Sequence, residues 1–134
     1  MKLSLAERIL GVTLVAYIVC DVLLTPPAHL ETRNPALVTG LGIASLALLF
    51  IGLALSIVAL VLMFRGSRRA PIVAIIAAVL YFPAFLAEQT GHFSSLRAPA
   101  AIEFVEVLQA VVALVALGIA LWVYRRGTTQ ATGR

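Results

Sequence analysis

Long apolar runs separated by short polar segments dominate this sequence. Four of these runs cover residues 5–25, 36–64, 70–87 and 101–124. A helix needs about 20 residues to cross the ~30 Å hydrocarbon core of a bilayer, so each run is long enough to span a membrane. An open β-sheet is excluded as a spanning element, because it leaves backbone groups without hydrogen bonds in lipid. The pattern predicts an all-α fold with four transmembrane helices.

Proline and polar residues mark the breaks between the predicted helices. Pro26 ends the first helix and Pro35 precedes the second, since proline cannot continue a helix. A basic turn over residues 65–69 separates the second helix from the third, and a polar loop over residues 91–99 separates the third from the fourth. Short connections of this kind join antiparallel neighbours. We therefore expect an antiparallel four-helix bundle.

The amino-acid composition indicates which class of protein this chain belongs to. Apolar residues make up 62% of the 134 residues, charged residues only 12%, and the mean hydropathy is +1.07. Soluble domains are about 45–50% apolar, so a soluble globular enzyme and a disordered chain are both excluded. The length leaves room for one domain. We expect a single transmembrane domain over residues 1–126 and a short polar cytoplasmic tail over residues 127–134.

The positive charges are distributed unevenly between the predicted connections. Two segments, the first and the third connection, hold only Arg33 and Arg97. The two terminal segments and the second connection hold the other eight basic residues: Lys2, Arg8, Arg65, Arg68, Arg69, Arg125, Arg126 and Arg134. Lys and Arg concentrate in cytoplasmic loops, so both termini are predicted to lie in the cytoplasm. The expected location is a cell membrane, either an inner or a plasma membrane.

The same distribution decides which partners we expect. The net charge of +4 comes from residues at the ends of apolar segments rather than from a basic stripe with interleaved aromatic residues, so we expect no nucleic acid. The expected partners are the lipid bilayer and a membrane protein or a second copy of this chain. The sequence carries no motif for haem, zinc or phosphate binding. We therefore expect no cofactor and no enzymatic activity.

Small residues recur at helical spacing in the second and fourth predicted helices. Such stripes allow helices to approach closely, which is how helices associate in lipid without a hydrophobic driving force. They indicate packing within the bundle, with a partner or with a second copy. The positions are Gly42, Ser45, Gly52, Ser56, Ala110 and Ala113.

Asp21 is the most informative single residue. It lies thirteen positions after Arg8, about 20 Å along a helix, which places it in the outer third of the first span. A carboxylate at that depth is costly unless it is neutralised, paired or hydrated, and it is a functional-site candidate. The alternative is that Asp21 ends the helix within reach of the headgroups and pairs with Arg33 or Arg97.

Other acidic residues lie near the same predicted face. Glu88 ends the small stripe of the third helix, and Glu106 lies on the stripe of the fourth. If the stripes face the bundle centre, Asp21, Glu88, Glu103 and Glu106 converge at its outer mouth. Glu103 is explained by the helix dipole, whereas Glu106, followed by Gln109, fits an inward polar path. Asp21, Glu88 and Glu106 are the candidate path for ions or substrate.

An aromatic region surrounds a proline in the third helix. Pro83 removes one backbone hydrogen bond and is expected to kink the helix. Tyr81 and Phe85 flank it, and Tyr17 lies at a comparable depth on the first helix. These four residues are a candidate pocket for a lipid, a quinone or an amphiphile. The alternative is that the rings simply fill space.

The two histidines are weak candidates for a metal site. His92 lies four residues after Glu88, a spacing that places a carboxylate and an imidazole on one helix face. Gly91 lies between them and is expected to break that helix. His29 lies in the first connection, on the same predicted side. The alternative is a solvated rim of polar side chains.

Three functions are compatible with this sequence. The first is a non-enzymatic accessory or structural subunit that packs with a partner or with itself, and it is favoured because no site motif is present. The second is a small proton- or cation-coupled transporter or channel that acts as a homo-oligomer through the outer acidic residues. The third is a membrane enzyme or redox subunit with an outer-face site of histidines and acids.

Overall fold

The computed structural model describes residues 3–26, 38–94 and 98–132, which form an all-helical chain. The prediction of four helices is confirmed, in the expected order. The helices are α1 (Leu5–Pro26), α2 (Gly40–Phe64), α3 (Ala70–Gln89) and α4 (Ala100–Thr132).

The four helices pack as a ring. Each helix contacts its neighbours along the chain, and α1 also contacts α4, which closes the ring. The contact between α2 and α3 is the most extensive and that between α1 and α2 the least. Neighbours run antiparallel, so Gly11 near the start of α1 lies beside Met63 near the end of α2. We call the end where α1 begins and α4 ends the proximal end, and the opposite end the distal end.

Three of the four helices are long and apolar enough to cross a membrane: α2, α3 and residues Ala100–Gly127 of α4. Among the described residues, α1 is not in this group. Its sequence carries Glu7, Arg8 and Asp21, which lower its apolar character. The fold of a helical membrane protein is thus supported by three spans, where the sequence predicts four.

The helix boundaries differ from the predicted ones at two places. α2 begins at Gly40 rather than at residue 36, because the Thr39 side chain caps the helix by accepting a hydrogen bond from the Gly42 amide (2.9 Å). α4 continues to Thr132, beyond the predicted end at Tyr124 and through most of the predicted tail.

Glycine ends both α2 and α3. Gly66 has φ +67° and Gly91 has φ +72°, a left-handed conformation that favours glycine. After Gly66 the amide of Ser67 bonds to the carbonyl of Leu62 (2.9 Å), which closes a tight turn into α3. Gly91 lies between Glu88 and His92, so these two residues do not share a helix face.

The two largest groups of buried apolar side chains among the described residues lie in the two halves of the bundle. The distal group consists of Tyr17, Tyr81, Ala110 and Ala113. The proximal group is wholly apolar and draws on all four helices: Leu10, Leu14, Ala59, Met63, Ala70, Ala74 and Ala120.

Candidate functional site

A hydrogen bond between Asp21 and Gln109 lies inside the bundle. The Gln109 amide nitrogen Nε2 donates to Asp21 Oδ1 over 2.8 Å. Asp21 is 1% exposed and Gln109 is 0% exposed, so water and lipid are excluded from both side chains. The bond joins α1 to α4, and it places an ionisable group among the packed helices.

Helical spacing adds two more polar groups beside this bond. Tyr17 precedes Asp21 by four residues on α1, and Glu106 precedes Gln109 by three residues on α4, so each pair shares a helix face. Tyr17 is buried, and Glu106 is partly buried with Oε2 out of contact with solvent. We call Tyr17, Asp21, Tyr81, Glu106 and Gln109 the distal polar cluster.

Tyr81 connects this cluster to α3. Its hydroxyl donates a hydrogen bond to the backbone carbonyl of Glu106 (2.7 Å). Its ring meets the Tyr17 ring edge-on, with centroids 6.1 Å apart and an angle of 85° between the planes. It also stacks on Phe85 at 6.0 Å. Such ring pairs fix orientation as well as filling space, so the cluster is held by three helices.

The α2–α3 contact brings α2 against the same cluster. A Cβ atom on Gly52 would lie 3.1 Å from the backbone oxygen of Ala77 and 3.7 Å from the Tyr17 hydroxyl. The absence of a side chain at Gly52 therefore lets α2 approach both α3 and the Tyr17 hydroxyl. Within the described residues, the Tyr17 hydroxyl and Gln109 Oε1 are buried and make no hydrogen bond. Both atoms retain hydrogen-bonding capacity beside Asp21.

The cluster occupies only the distal half of the bundle. Gln109 lies nine residues after Ala100, about 14 Å along α4 at ~1.5 Å per residue. Towards the proximal end, the buried group that fills the bundle contains only Leu, Ala and Met side chains. A proton or an ion reaching Asp21 in this conformation therefore enters from the distal side.

The small-residue stripes face into the bundle. Gly42, Ser45, Gly52, Ser56, Ala110 and Ala113 are all buried. The two serine hydroxyls bond to carbonyls of their own helix, Ser45 to Leu41 (2.8 Å) and Ser56 to Gly52 (2.9 Å). The stripes are therefore used for packing within this chain, and they do not form an exposed face for another protein.

Three other predicted site residues, Glu88, His92 and Pro83, are partly or fully exposed. Glu88 is partly exposed near the end of α3, and His92 is exposed with its Nδ1 2.9 Å from the Thr90 hydroxyl. Pro83 is exposed, whereas the other three residues of the predicted pocket pack on one another. No group of three or more His, Cys, Asp or Glu residues that could hold a metal is found among the described residues.

Several sequence predictions fall on residues outside the described part of the chain. The histidine at position 29 and the arginines at positions 33 and 97 belong to this group. The predicted metal role of His29, and the predicted pairing of Asp21 with Arg33 or Arg97, therefore stay predictions.

Gln109 is the residue whose role sequence reasoning missed. It was identified only as a polar neighbour of Glu106, not as the partner of Asp21. The available signal was spacing, since Gln109 lies three residues after Glu106 and directly before Ala110 on the buried face of α4. An amide on the buried face of a helix, one turn from an acid, favours a polar contact with a facing helix.

The fold and this cluster define a helical membrane-type bundle with a buried polar cluster in its distal half. Comparison of the chain with protein-family models, curated proteins and solved structures finds no match.

Proposed function

We propose that this chain is a small proton-coupled membrane transporter in which the Asp21 carboxyl binds the proton. The proposal is carried by the hydrogen bond from Gln109 to Asp21, which lies inside the bundle with both side chains almost fully buried. Ionisable side chains inside membrane-spanning bundles are rare, and they commonly mark ion paths and proton relays. The proposed role requires neither enzymatic chemistry nor a cofactor.

The chemistry of the pair favours proton binding over a purely structural role. An asparagine at position 21 would accept the same hydrogen bond from Gln109 without bringing a charge into the bundle. A structural clamp between α1 and α4 therefore does not require a carboxylate. The aspartate adds one property to that clamp, which is the ability to gain and lose a proton.

The Gln109 amide suits a partner that changes its protonation state. It carries both a donor and an acceptor. Its Nε2 donates to the ionised carboxylate, as in the 2.8 Å bond to Oδ1. After rotation of the amide, Oε1 can accept a hydrogen bond from the protonated carboxyl. Both protonation states of Asp21 can thus keep a hydrogen bond to α4.

Transport also requires access to Asp21 from both sides of the membrane. The apolar proximal group closes the path on one side. Of the contacts between neighbouring helices, that between α1 and α2 is the least extensive, whereas α2 is held by the most extensive one, with α3. α1 is therefore the helix that can shift with the smallest loss of packing. We propose that a movement of α1, which carries Asp21, alternates access between the two ends.

The proposed orientation places the proximal end in the cytoplasm of an inner or plasma membrane. Arg8, Arg65 and Arg68 are exposed at this end, as are Arg125 and Arg126, and basic residues favour the cytoplasmic side. We propose that α1 also crosses the membrane, since its 22 residues extend about 33 Å and Asp21 faces the bundle rather than lipid.

The hypothesis of an accessory subunit that binds through its small-residue stripes has less support, because those stripes are buried in this chain. A homo-oligomer is also not needed to build the proposed site. Asp21, Gln109 and Tyr81 come from three helices of one chain.

Infrared spectroscopy of the protein in lipid vesicles tests proton binding directly. Lowering the pH should produce the carbonyl band of a protonated, buried carboxyl group in the wild-type protein. Asp21→Asn should lack this band. Glu103→Gln, which changes a partly exposed acid in the first turn of α4, should retain it and serves as the matched control.

Vesicles that enclose a pH-sensitive dye test coupling. A sodium or potassium gradient should drive proton movement in wild-type vesicles and in Glu103→Gln vesicles, but not in Asp21→Asn vesicles. An infrared band that survives in Asp21→Asn would contradict the assignment of the proton site. A band without any cation-driven proton movement would limit the role to proton binding.

A further inference from the structure

A groove lies between α1 and α2 at the proximal end, and no residue of the distal polar cluster lines it. Its volume is about 370 Å³, within the ~300–1,000 Å³ range of small-molecule sites. Gly11, Val12 and Val15 line it from α1, and Leu60 and Phe64 line it from α2. Among the described residues that line it, Arg8 is the one that carries a charge.

The groove arises where α1 and α2 are least closely packed. Gly11 contributes no side chain, and a Cβ atom there would lie only 2.6 Å from the Met63 methyl carbon. Val12 is 72% exposed and Phe64 is 67% exposed, so the walls face outwards rather than into the bundle. An elongated apolar group, such as the acyl chain of a lipid, fits a channel with these walls.

The charges around the groove identify the headgroup. Arg8 lies one turn before Val12, and the turn that follows Phe64 adds Arg65, Arg68 and Arg69, all exposed. The adjacent acid, Glu7, is engaged in a capping box, where its carboxylate accepts a hydrogen bond from the Ser4 amide (2.7 Å). The four arginines outnumber this one acid, so the surroundings carry a net positive charge. In the orientation proposed above they lie on the cytoplasmic side, where basic pockets between helices bind anionic lipid headgroups.

We propose that this groove binds one anionic phospholipid, with an acyl chain between α1 and α2 and the phosphate at Arg8. The site shares no residue with the distal polar cluster, so lipid binding can be tested separately from the proton site proposed above. It is a lipid site on the surface of the bundle, next to the helix contact that is least extensive.

Native mass spectrometry of the purified protein tests this proposal. The protein is released from detergent micelles that contain either phosphatidylglycerol or phosphatidylcholine with identical acyl chains. We expect one retained phosphatidylglycerol per chain and weaker retention of phosphatidylcholine. Arg8→Gln should lower phosphatidylglycerol retention about fivefold, the contribution of one basic side chain near an anionic headgroup.

Two further variants separate the groove from general surface charge. Arg126→Gln removes an exposed proximal guanidinium that lies 4.0 Å from the Trp122 ring centroid, and it should leave retention unchanged. Val15→Trp places an indole in the groove from an exposed position, so it should reduce retention of both lipids. Circular dichroism confirms that each variant is helical before its lipid is counted.

Three outcomes would overturn the proposal. Equal retention of the two lipids would show that the headgroup is not recognised. Equal losses in Arg8→Gln and Arg126→Gln would show a diffuse charge effect rather than a site. If the wild-type protein is a dimer and the Val15→Trp variant is a monomer, a second copy of the chain rather than a lipid occupies the groove.

Discussion

The proximal and distal halves of the bundle are built from the same four helices but are filled in different ways. The proximal half is filled by Leu10, Leu14 and Met63 against alanines from neighbouring helices. The distal half is filled by Tyr17 and Tyr81. Beside them, the Gln109 amide on α4 donates a hydrogen bond to the Asp21 carboxylate on α1. The proximal half is held together by the fit of apolar side chains, and the distal half is held in addition by hydrogen bonds.

The difference indicates how close packing and hydrogen bonding are divided between the two ends of the bundle. Lipid tails are as apolar as leucine, so burial of apolar side chains in a membrane contributes mainly through close packing. A half filled by such side chains has no group that can bind a proton or an ion, and its stability falls when a side chain is made smaller. A half with buried polar groups responds in addition to any change in its hydrogen bonds.

The largest expected effect is in the proximal half. Leu14→Ala should lower the free energy of unfolding by about 2–3 kcal/mol, because it leaves a cavity in a closely packed region. The loss should be the same at neutral and at acidic pH. Unfolding by sodium dodecyl sulfate, followed by circular dichroism, measures it.

Leu23→Ala is the matched control for that substitution. Leu23 is also on α1 but is 63% exposed, so its truncation should change stability by less than about 0.5 kcal/mol. Equal losses at the two positions would remove the distinction between a packed interior and a lipid-facing surface.

The next largest effect is expected in the distal half. Gln109→Leu should cost about 1–2 kcal/mol, because it removes the hydrogen bond to Asp21 while the carboxylate stays buried. Replacing both residues, in Asp21→Leu/Gln109→Leu, should recover most of this loss, since both polar groups are then removed together. The same unfolding measurement gives the coupling energy.

Gln89→Leu controls for the change from amide to alkyl group, because Gln89 is exposed at the end of α3. It should be close to neutral. If the double variant is as unstable as Gln109→Leu, the two residues do not act as a pair, and the distal half depends on volume like the proximal half.

The smallest expected effect comes from Tyr81. Tyr81→Phe removes the hydroxyl that donates to the Glu106 carbonyl (2.7 Å) and keeps the ring contacts, so it should cost about 1 kcal/mol. Tyr124→Phe, at an exposed position of α4, should leave the midpoint of unfolding unchanged. A similar shift in both variants would show that the Tyr81 hydroxyl has no specific role in the distal half.

Most of the fold could be predicted from the sequence, whereas the site could be predicted only in part. Apolar runs of sufficient length determine the four helices. Asp21 and Glu106 could be predicted as site residues because acids are rare in apolar segments. The start of α2 was missed because the apolar pattern extends beyond it, although Thr39 before Gly40 is a common capping signal.

The partnership of Asp21 with Gln109 could not be derived from periodicity. Helical spacing tells which residues share one face of a helix. It does not tell which neighbouring helix, or which of its faces, packs against that face. The ring order, in which α1 closes against α4, also depends on how well each pair of helices packs. The groove was missed for the same reason, since it exists only where α1 and α2 lie side by side.

The large sequence separation between Asp21 and Gln109 has a consequence for the biogenesis of the protein. The two residues are 88 positions apart, so the ribosome completes α1 long before Gln109 has been added. α1 also carries three charged residues, and one of them, Asp21, is buried only once α4 packs beside it. We therefore expect α1 to be made first but to settle last, after α4 has entered the membrane, so a chain stopped before α4 should leave α1 open to proteases and quality control.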